Sequence, residues 1–385
     1  MYTKEQLNDL YERIVKTIDI SNNMFDSAEQ EYMQLGKWID QETPQYNISV
    51  YAQGSFALGT VIKPIDDRED YDLDLVCEFA QQYGFSAEKL KCSVVKPLLQ
   101  KYRKIKGDIK EKRRCWHVEY EDVPNFHMDI IPSVNRIDYI DITDHDEDND
   151  TYDYIGSNPK GYIEWFNGKK SERRKILYEN FCKEIRSTEK CSADVEKIKE
   201  YHLKTPLQKA IQILKRHRDI MFKDDDNHLK PISIIITTIA ADLYNNEDNI
   251  VDTLTNFFSN AKNYIESKMV GSEYHIDNPT YTGGEVENFA EKWNKHSERK
   301  DAFFEWLKKA EYDLIDKHLY YLIRTQMADN LRQALGDVTT HRVFDEMAEE
   351  EHTATKNQTK KIDTATGAIT SAGSIPVPRS NHYGK

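Results

Sequence analysis

The pattern of apolar and polar residues predicts strands in the first half of the chain. Four strands are expected, at residues 47–53, 71–77, 116–120 and 126–131. In the first of them, Ile48, Val50 and Ala52 alternate with more polar residues, which is the period of a strand with one buried face. We expect Pro132 to end the fourth strand, because proline cannot donate to a sheet ladder.

Apolar residues at helical spacing dominate the second half. Thr205, Pro206 and Gln208 form a strong helix start, with threonine as the N-cap and proline at the first helical position. The apolar stripe of this helix leaves Lys209 and Lys215 on other faces. Further helices are predicted at residues 3–18, 27–41, 86–99, 161–182, 232–243 and 303–323. The chain is therefore expected to be α+β, with a mainly helical second subdomain.

Composition limits the kind of protein this can be. A chain of 385 residues is long enough for two subdomains, and the formal net charge of −14 argues against a permanent nucleic-acid-binding surface. Local basic clusters, such as residues 101–106, are interpreted as solvated faces or as a patch that steers nucleotides. The five scattered cysteines suit a reducing cytosol. We expect a cytoplasmic protein without a membrane segment.

Three carboxylates and a Gly-Ser turn form the candidate site. Gly54 and Ser55 break the first strand, and backbone N–H groups at such a turn can cradle phosphate oxygens. Asp72 and Asp74 are two residues apart in a strand and share a face. Asp129 lies between apolar neighbours in another strand. This set suits two Mg²⁺ ions about 3.5–4 Å apart. The alternative is that these carboxylates lie on the solvent face of an ordinary sheet. A mixture of polar residue types would be expected on such a face.

Two other polar features have simpler interpretations. His127 shares a face with Asp129, and it could be a structural histidine or a general base, the structural role being favoured. The acidic residues 144–150 lack the central glycine and the closing glutamate of a calcium-binding EF-hand loop. We interpret them as a solvated loop.

The order of these motifs resembles the polymerase-β-type nucleotidyltransferases. Two later segments narrow the resemblance to the bacterial cyclic-oligonucleotide synthases (the CD-NTase family), which are relatives of cyclic GMP–AMP synthase and oligoadenylate synthase. One is Lys215–Asp219, and the other runs from Asn278 through Glu287 to Trp293. The resemblance spans about residues 45–330. The zinc-binding insertion of the animal DNA sensor has no counterpart in this sequence.

The resemblance implies a fold and a division of the chain. We expect a polymerase-β-like nucleotidyltransferase core with N-terminal bracing helices at residues 1–200, a helical subdomain at 201–347 and a flexible C-terminal tail at 348–385. In some family members a partner related to ubiquitin-transfer enzymes attaches the C-terminus to other molecules. An operon partner of this kind is one hypothesis for the tail of this chain, and a plain disordered tail is the other. The final Lys385 departs from a small terminal residue.

The resemblance also implies an activity and residue roles. We expect Mg²⁺, with Mn²⁺ as a substitute, to support the joining of ATP, GTP or other nucleoside triphosphates into a cyclic di- or trinucleotide, with pyrophosphate release, in antiphage defence. The metal ligands and catalytic residues would be Asp72, Asp74 and Asp129. The substrate-binding residues would be Gly54, Ser55, Lys209 and Ser233. Rival hypotheses are a transferase that modifies RNA ends or a protein, and a nucleotide-binding module without activity.

Overall fold

The computed structural model describes residues 2–65, 71–102, 105–120, 126–187, 203–283 and 287–357, residue 359 and three pairs at 361–362, 369–370 and 375–376. The helices are α1 (Lys4–Ile18), α2 (Asn22–Glu42), α3 (Gly54–Leu58), α4 (Lys96–Lys101), α5 (Pro159–Ser187), α6 (Pro206–Met221), α7 (Ser233–Leu243), α8 (Ile250–Ser267), α9 (Glu291–Lys295), α10 (Ser297–Leu314), α11 (Arg324–Leu335) and α12 (Asp337–Lys356). The strands are β1 (Ile48–Ala52), β2 (Tyr71–Phe79), β3 (Ile105–Glu111), β4 (Trp116–Tyr120), β5 (Phe126–Asn135), β6 (Ile140–Asp146), β7 (Thr151–Ser157), β8 (Lys361–Ile362), β9 (Ile369–Thr370) and β10 (Ile375–Pro376).

Strands β1 to β7 form one mixed sheet. Its order is β1-β2-β5-β4-β3, with β6 paired to β5 and β7 paired to β6. Strands β2 and β5 are parallel, and the other pairs are antiparallel. Strand β2, which carries Asp72 and Asp74, and strand β5, which carries Asp129, are therefore direct neighbours in the middle of the sheet.

Strand β5 is longer than the sequence predicts. The expectation that Pro132 ends it is wrong, because the strand continues to Asn135. On one side of β5, strand β4 pairs with residues 127–130 and strand β6 pairs from Ser133 onward. Pro132 falls between these two partners, so its missing N–H interrupts no pairing on that side.

The two halves of the chain have separate apolar cores. The sheet core joins Leu35 and Ile39 of α2 to Phe79 and Trp116 of the sheet. The helical core joins α6, α7, α8, α10 and α11, and it also takes in α1 through residues such as Leu10. Helix α1 therefore packs with the helical half, whereas α2 lies against the sheet. The predicted boundary at residue 200 assigns α1 to the first subdomain because of its place in the chain. In the structure, α1 packs into the core of the second.

Helix α6 lies between the halves and begins as the sequence predicts. Thr205 accepts from the backbone of Gln208, and the Gln208 side chain accepts from the Thr205 backbone. Its basic residues are less exposed than the apolar stripe suggests, because Lys215, Arg216 and Arg218 are all buried. A helix that is buried on nearly every side belongs to the centre of a fold.

The C-terminal region begins with a helix. Helix α12 ends at Lys356 and so crosses the predicted boundary at residue 347, while β8, β9 and β10 form a small antiparallel sheet. Within the described ranges, no helix is both long enough and apolar enough to span a membrane.

Candidate active site

The Gly-Ser turn is packed directly against one of the predicted carboxylates. Gly54 has a φ of +60°, and a Cβ atom there would lie 2.4 Å from Oδ2 of Asp74. The N–H of Gln53 donates to the main-chain carbonyl of Asp74 at 2.9 Å. Only glycine combines this conformation with this close approach. The structure thus brings Gly54 and Asp74 together, as the sequence predicts.

Helix α6 holds the other end of the same turn. Gln208 donates through Nε2 to the carbonyl of Leu58 at 2.8 Å. Lys215 donates through Nζ to the carbonyl of Thr60 at 2.9 Å. Gly59 closes α3 with a φ of +68° and leaves room for the Gln208 amide. The helical half therefore fixes the position of the turn relative to the sheet.

The central strands align the aspartates in register. Asp74 of β2 lies opposite Asp129 of β5, and the Asp72 backbone lies opposite His127. Paired residues of neighbouring strands point to the same face and lie about 5 Å apart. The side chain of Asp72 lies outside the described residues. Asp74 and Asp129 form the described part of the predicted carboxylate set.

Cationic and imidazole groups surround Asp129, which is buried. Lys112 donates to both carboxylate oxygens, at 3.2 and 3.0 Å, and Nδ1 of His117 lies 2.7 Å from Oδ1. Burial by itself would raise the pKa of the Asp129 carboxyl, but Lys112 and His117 outweigh it and the pKa is lowered. Asp129 is therefore an anion at neutral pH.

The turn between β3 and β4 is held so that Lys112 reaches Asp129. Lys91 is fully buried, and its Nζ donates to the carbonyls of Lys112 at 2.6 Å and Arg113 at 2.9 Å. Cys115 lies on the same turn. Burial raises the pKa of the Cys115 thiol, and its contact with Asp129 raises it further.

A cleft of about 410 Å³ opens between the two halves beside Asp74. Its lining residues from the sheet half are Gly54, Ser55, Leu58, Thr60, Val61, Ile62, Lys63, Pro64 and Asp74. Those from the helical half are Lys215, Arg218, Asp219, Lys230, Ser233, Ile234 and Thr237. The cleft thus places a small-residue turn and a carboxylate opposite a group of cations.

The helical wall of the cleft is an ordered charge network. Arg218 donates to the Ser233 hydroxyl and to Oδ1 of Asp219, which also accepts from Lys230 at 2.8 Å. Burial would raise the pKa of Asp219, but Arg218 and Lys230 outweigh it and the pKa is lowered. Ser233 therefore lies in the cleft, on the wall opposite Gly54.

The structure places Lys209, whose side chain is described, away from the cleft. Its Nζ donates to both oxygens of Glu12, at 2.9 and 2.7 Å. It lines a different cavity of about 280 Å³, together with Val15 and Asp19 of the N-terminal region. The predicted contact of Lys209 with a triphosphate is not supported by this arrangement, because the cleft takes its α6 cations from Lys215 and Arg218.

A second cavity beside the site, of about 200 Å³, shares Gly54 with the cleft and is lined by Asn278 and Glu287 among others. Glu287 accepts from Ser157 at 3.0 Å and from Asn278 at 2.7 Å. Burial raises the pKa of the Glu287 carboxyl. Most of the other lining residues are apolar, among them Ile131 and Phe289.

The donor set of the site fits a hard divalent cation. Asp74 and Asp129 offer carboxylate oxygens from adjacent positions, which are the ligands that Mg²⁺ prefers. The ammonium of Lys112, seated on Asp129, shows that this carboxylate attracts positive charge. Sequence reasoning did not single out Lys112, His117 or Lys230. For His117 a signal existed, since it alternates with the buried Trp116 and Val118.

Known proteins resemble this chain over most of its length. The family model of the Second Messenger Oligonucleotide or Dinucleotide Synthetase domain matches residues 1–170. A c-di-GMP synthase from Roseivirga ehrenbergii is 30% identical over 301 residues, which cover 75% of this chain and 74% of that protein.

Solved structures of similar proteins show which fold this chain has. Bradyrhizobium diazoefficiens CdnG, solved with GTP, superposes with a TM-score of 0.70 at 18% identity, covering 89% of this chain and 99% of CdnG. Escherichia coli CdnC, solved with ATP, gives a TM-score of 0.60 at 13% identity, covering 86% of this chain and 97% of CdnC. The predicted polymerase-β-like α+β fold is confirmed. The chain belongs to the CD-NTase family of bacterial cyclic-oligonucleotide synthases, which are nucleotidyltransferases.

Proposed function

We propose that this protein uses Mg²⁺ to join nucleoside triphosphates, GTP among them, into a cyclic dinucleotide with release of pyrophosphate. One observation carries the proposal: Asp74 lines the cleft together with Gly54, Ser55 and several cations, and Asp129 lies opposite Asp74 in the neighbouring strand. The proposed use of GTP is supported by the similarity to a c-di-GMP synthase.

The proposed metal ligands are Asp72, Asp74 and Asp129. Asp72 is included because it precedes Asp74 by two residues in β2 and so belongs to the same face. Bound Mg²⁺ would neutralise phosphate charge and make a ribose hydroxyl a better nucleophile. Lys112 competes with any cation for Asp129, so it must turn away from this carboxylate when the site is loaded.

The two walls of the cleft have different proposed tasks. Gly54 and Ser55 would bind phosphate oxygens through backbone N–H groups and the serine hydroxyl. Lys215 and Arg218 would face the same phosphates from α6, and Ser233 would hold Arg218 in place. Charge-assisted hydrogen bonds of this kind are stronger than neutral ones.

The second cavity is the proposed place for a nucleoside. Apolar walls with a few fixed polar groups are typical of nucleobase and small-molecule sites. Arg114, Asn278 and Glu287 supply those polar groups in this cavity. Because Gly54 lines both cavities, a nucleotide could place its base in one and its phosphates in the other.

The cellular role is proposed on the resemblance. We infer that the enzyme acts in the cytoplasm, in antiphage defence, and that an operon partner acts on its C-terminal residues. Removing residues 358–385 should leave synthesis by the purified enzyme nearly unchanged and impair protection of cells against phage. Loss of synthesis by the truncated enzyme would contradict this proposal.

Product analysis tests the proposed reaction. The purified protein would be incubated with Mg²⁺ and all four ribonucleoside triphosphates, treated with phosphatase and analysed by mass spectrometry. A phosphatase-resistant cyclic dinucleotide containing guanine is expected. An RNA oligonucleotide in a parallel reaction detects end modification instead. Asp129→Asn should make no product, whereas Asp345→Asn, at an exposed aspartate on α12, should match the wild type. Product from Asp129→Asn would contradict the assignment of the site.

A further inference from the structure

Two imidazoles stand beside the carboxylate Asp129. The rings of His117 and His127 have centroids 4.3 Å apart. Each histidine and Asp129 offers a ligand atom, and these three atoms all lie within 4.8 Å of one another. Asp129 is buried, and both histidines are partly buried. The three side chains therefore form a compact group of metal-ligand atoms.

The backbone fixes this arrangement. His117 of β4 lies directly opposite Asp129 of β5 in the antiparallel pair, and Glu119 lies opposite His127. His127 and Asp129 are two residues apart on one strand and share a face. The three groups are therefore neighbours on one face of a central, paired region of the sheet, and a ligand cluster there needs little rearrangement.

The donor set differs from the one that Mg²⁺ prefers. Magnesium is bound by oxygen, whereas imidazole nitrogen suits zinc and other late first-row transition metals. Two histidines and one carboxylate are a known three-ligand zinc set that leaves a fourth position open. The simpler interpretation is that His117 only orients Asp129 through its 2.7 Å contact. That interpretation does not account for the position of His127, whose ring packs against His117.

We propose that His117, His127 and Asp129 bind a zinc-class transition-metal ion and that this ion competes with Mg²⁺ for Asp129. The binding itself does not rest on the proposed function, whereas the competition does. The consequence is a synthase that Zn²⁺ inhibits at the active site. Lys112 opposes such binding because its ammonium holds both oxygens of Asp129.

Direct metal binding tests this inference. Isothermal titration calorimetry of the full chain with ZnCl₂ would give the affinity, and the visible absorption of bound Co²⁺ would report its coordination geometry. His127→Gln and His117→Gln should each weaken Zn²⁺ binding at least about tenfold and weaken the Co²⁺ bands. Lys112→Gln should tighten binding. Thermal unfolding would be measured for each variant, and His127→Gln serves alone if His117→Gln does not fold.

The matched control is another histidine–aspartate pair. His341 lies 2.6 Å from Asp345 on α12, and within the described residues no third ligand completes a group there. His341→Gln should bind Zn²⁺ as tightly as the wild type. Equal affinities for His127→Gln and the wild type would overturn the proposal, and so would an unchanged affinity for Lys112→Gln.

Enzyme assays then separate this inference from the proposed function. At fixed Mg²⁺, Zn²⁺ should inhibit cyclic-dinucleotide synthesis, and His127→Gln should need at least about ten times more Zn²⁺ for half inhibition. Synthesis that Zn²⁺ does not inhibit in the wild type would overturn only the competition. Zinc binding that follows the variants as expected, in a protein that makes no cyclic product, would overturn the proposed function and leave the metal site standing.

Discussion

The two faces of helix α6 place similar side chains in different surroundings. Lys209 and Lys215 are six residues apart on this helix, which puts them on different sides of it at 3.6 residues per turn. Lys209 pairs with Glu12 of α1, whereas Lys215 lines the cleft and holds the carbonyl of Thr60. The packing of α6 therefore decides which of its cations can meet a substrate.

The largest expected effect comes from removing a carboxylate while leaving both faces of α6 intact. Asp129→Asn should reduce the turnover of nucleoside triphosphates at least about a thousandfold, equivalent to about 4 kcal/mol. The reason is the loss of the anionic side chain that we propose as a metal ligand at the centre of the sheet. Turnover would be measured as pyrophosphate release, with thermal unfolding as the control for folding. Activity within tenfold of the wild type would place the metal ligands elsewhere.

Replacing each of the two lysines tests the comparison itself. Lys215→Ala should lower kcat/KM for the triphosphate roughly tenfold to a hundredfold, the effect of one lost charged hydrogen bond. Lys209→Ala should change kcat/KM less than about threefold, because Lys209 pairs with Glu12 outside the cleft and a partly exposed ion pair of this kind has a small energetic contribution. Steady-state kinetics of both variants would decide. A larger loss for Lys209→Ala than for Lys215→Ala would reverse the assignment of the two faces.

The serine of the turn gives a smaller effect on the opposite wall. Ser55→Ala removes one hydroxyl donor and keeps the backbone N–H groups of the turn. We expect kcat/KM to fall about threefold to tenfold, because a neutral hydrogen bond contributes about 1 kcal/mol. Ser171→Ala, at an exposed serine of α5, is the matched control. Equal kinetics for the two variants would mean that Ser55 does not contact the phosphates.

The smallest expected effect concerns pH and the second cavity. Burial raises the folded-state pKa of Glu287 above its ordinary value of 4.5. The folded protein therefore keeps this proton at pH values where the unfolded chain loses it, and the contribution of Glu287 to stability falls as pH rises through that window. Glu287→Gln lacks this loss. Its stability relative to the wild type should rise as the pH increases from the ordinary pKa of 4.5 through the raised folded-state pKa.

Thermal or urea unfolding of both proteins across this pH range would measure the difference. A relative stability of Glu287→Gln that falls as pH rises would show that the ionised carboxylate is favoured in the folded protein. Because other titrating groups are common to both proteins, the difference isolates the Glu287 carboxyl.

The sequence was sufficient to predict that Gly54, Asp74 and Asp129 lie close together, because their placement depends on local pattern. Gly54 adopts a positive φ, which suits the predicted turn, and Asp74 and Asp129 each lie within an apolar strand. The order of these motifs and the resemblance together predict that the three residues are close in space. The register between β2 and β5 then makes the two aspartates direct neighbours. The strand prediction failed at Pro132, because the change of partner strand at that point depends on sheet topology.

The residues that sequence reasoning missed depend on tertiary packing. Lys112 contacts Asp129 from the turn between β3 and β4, which the buried Lys91 holds through two main-chain carbonyls. The resemblance implies Lys209 as the phosphate contact, and the apolar stripe of α6 leaves both Lys209 and Lys215 off the buried face, so local pattern cannot separate the two lysines. The partner of each α6 cation is set by α1 or by the Gly-Ser turn, which are distant in sequence.

The position of a bound triphosphate tests the central claim most directly. A crystal structure with a non-hydrolysable GTP analogue and Mn²⁺ would locate the phosphates by their density and the metal by anomalous scattering. We predict phosphates between Ser55 and the Lys215–Arg218 wall, with Mn²⁺ within bonding distance of Asp74 and Asp129. Phosphates bound beside Lys209 and Glu12, with no metal at these two aspartates, would contradict the account.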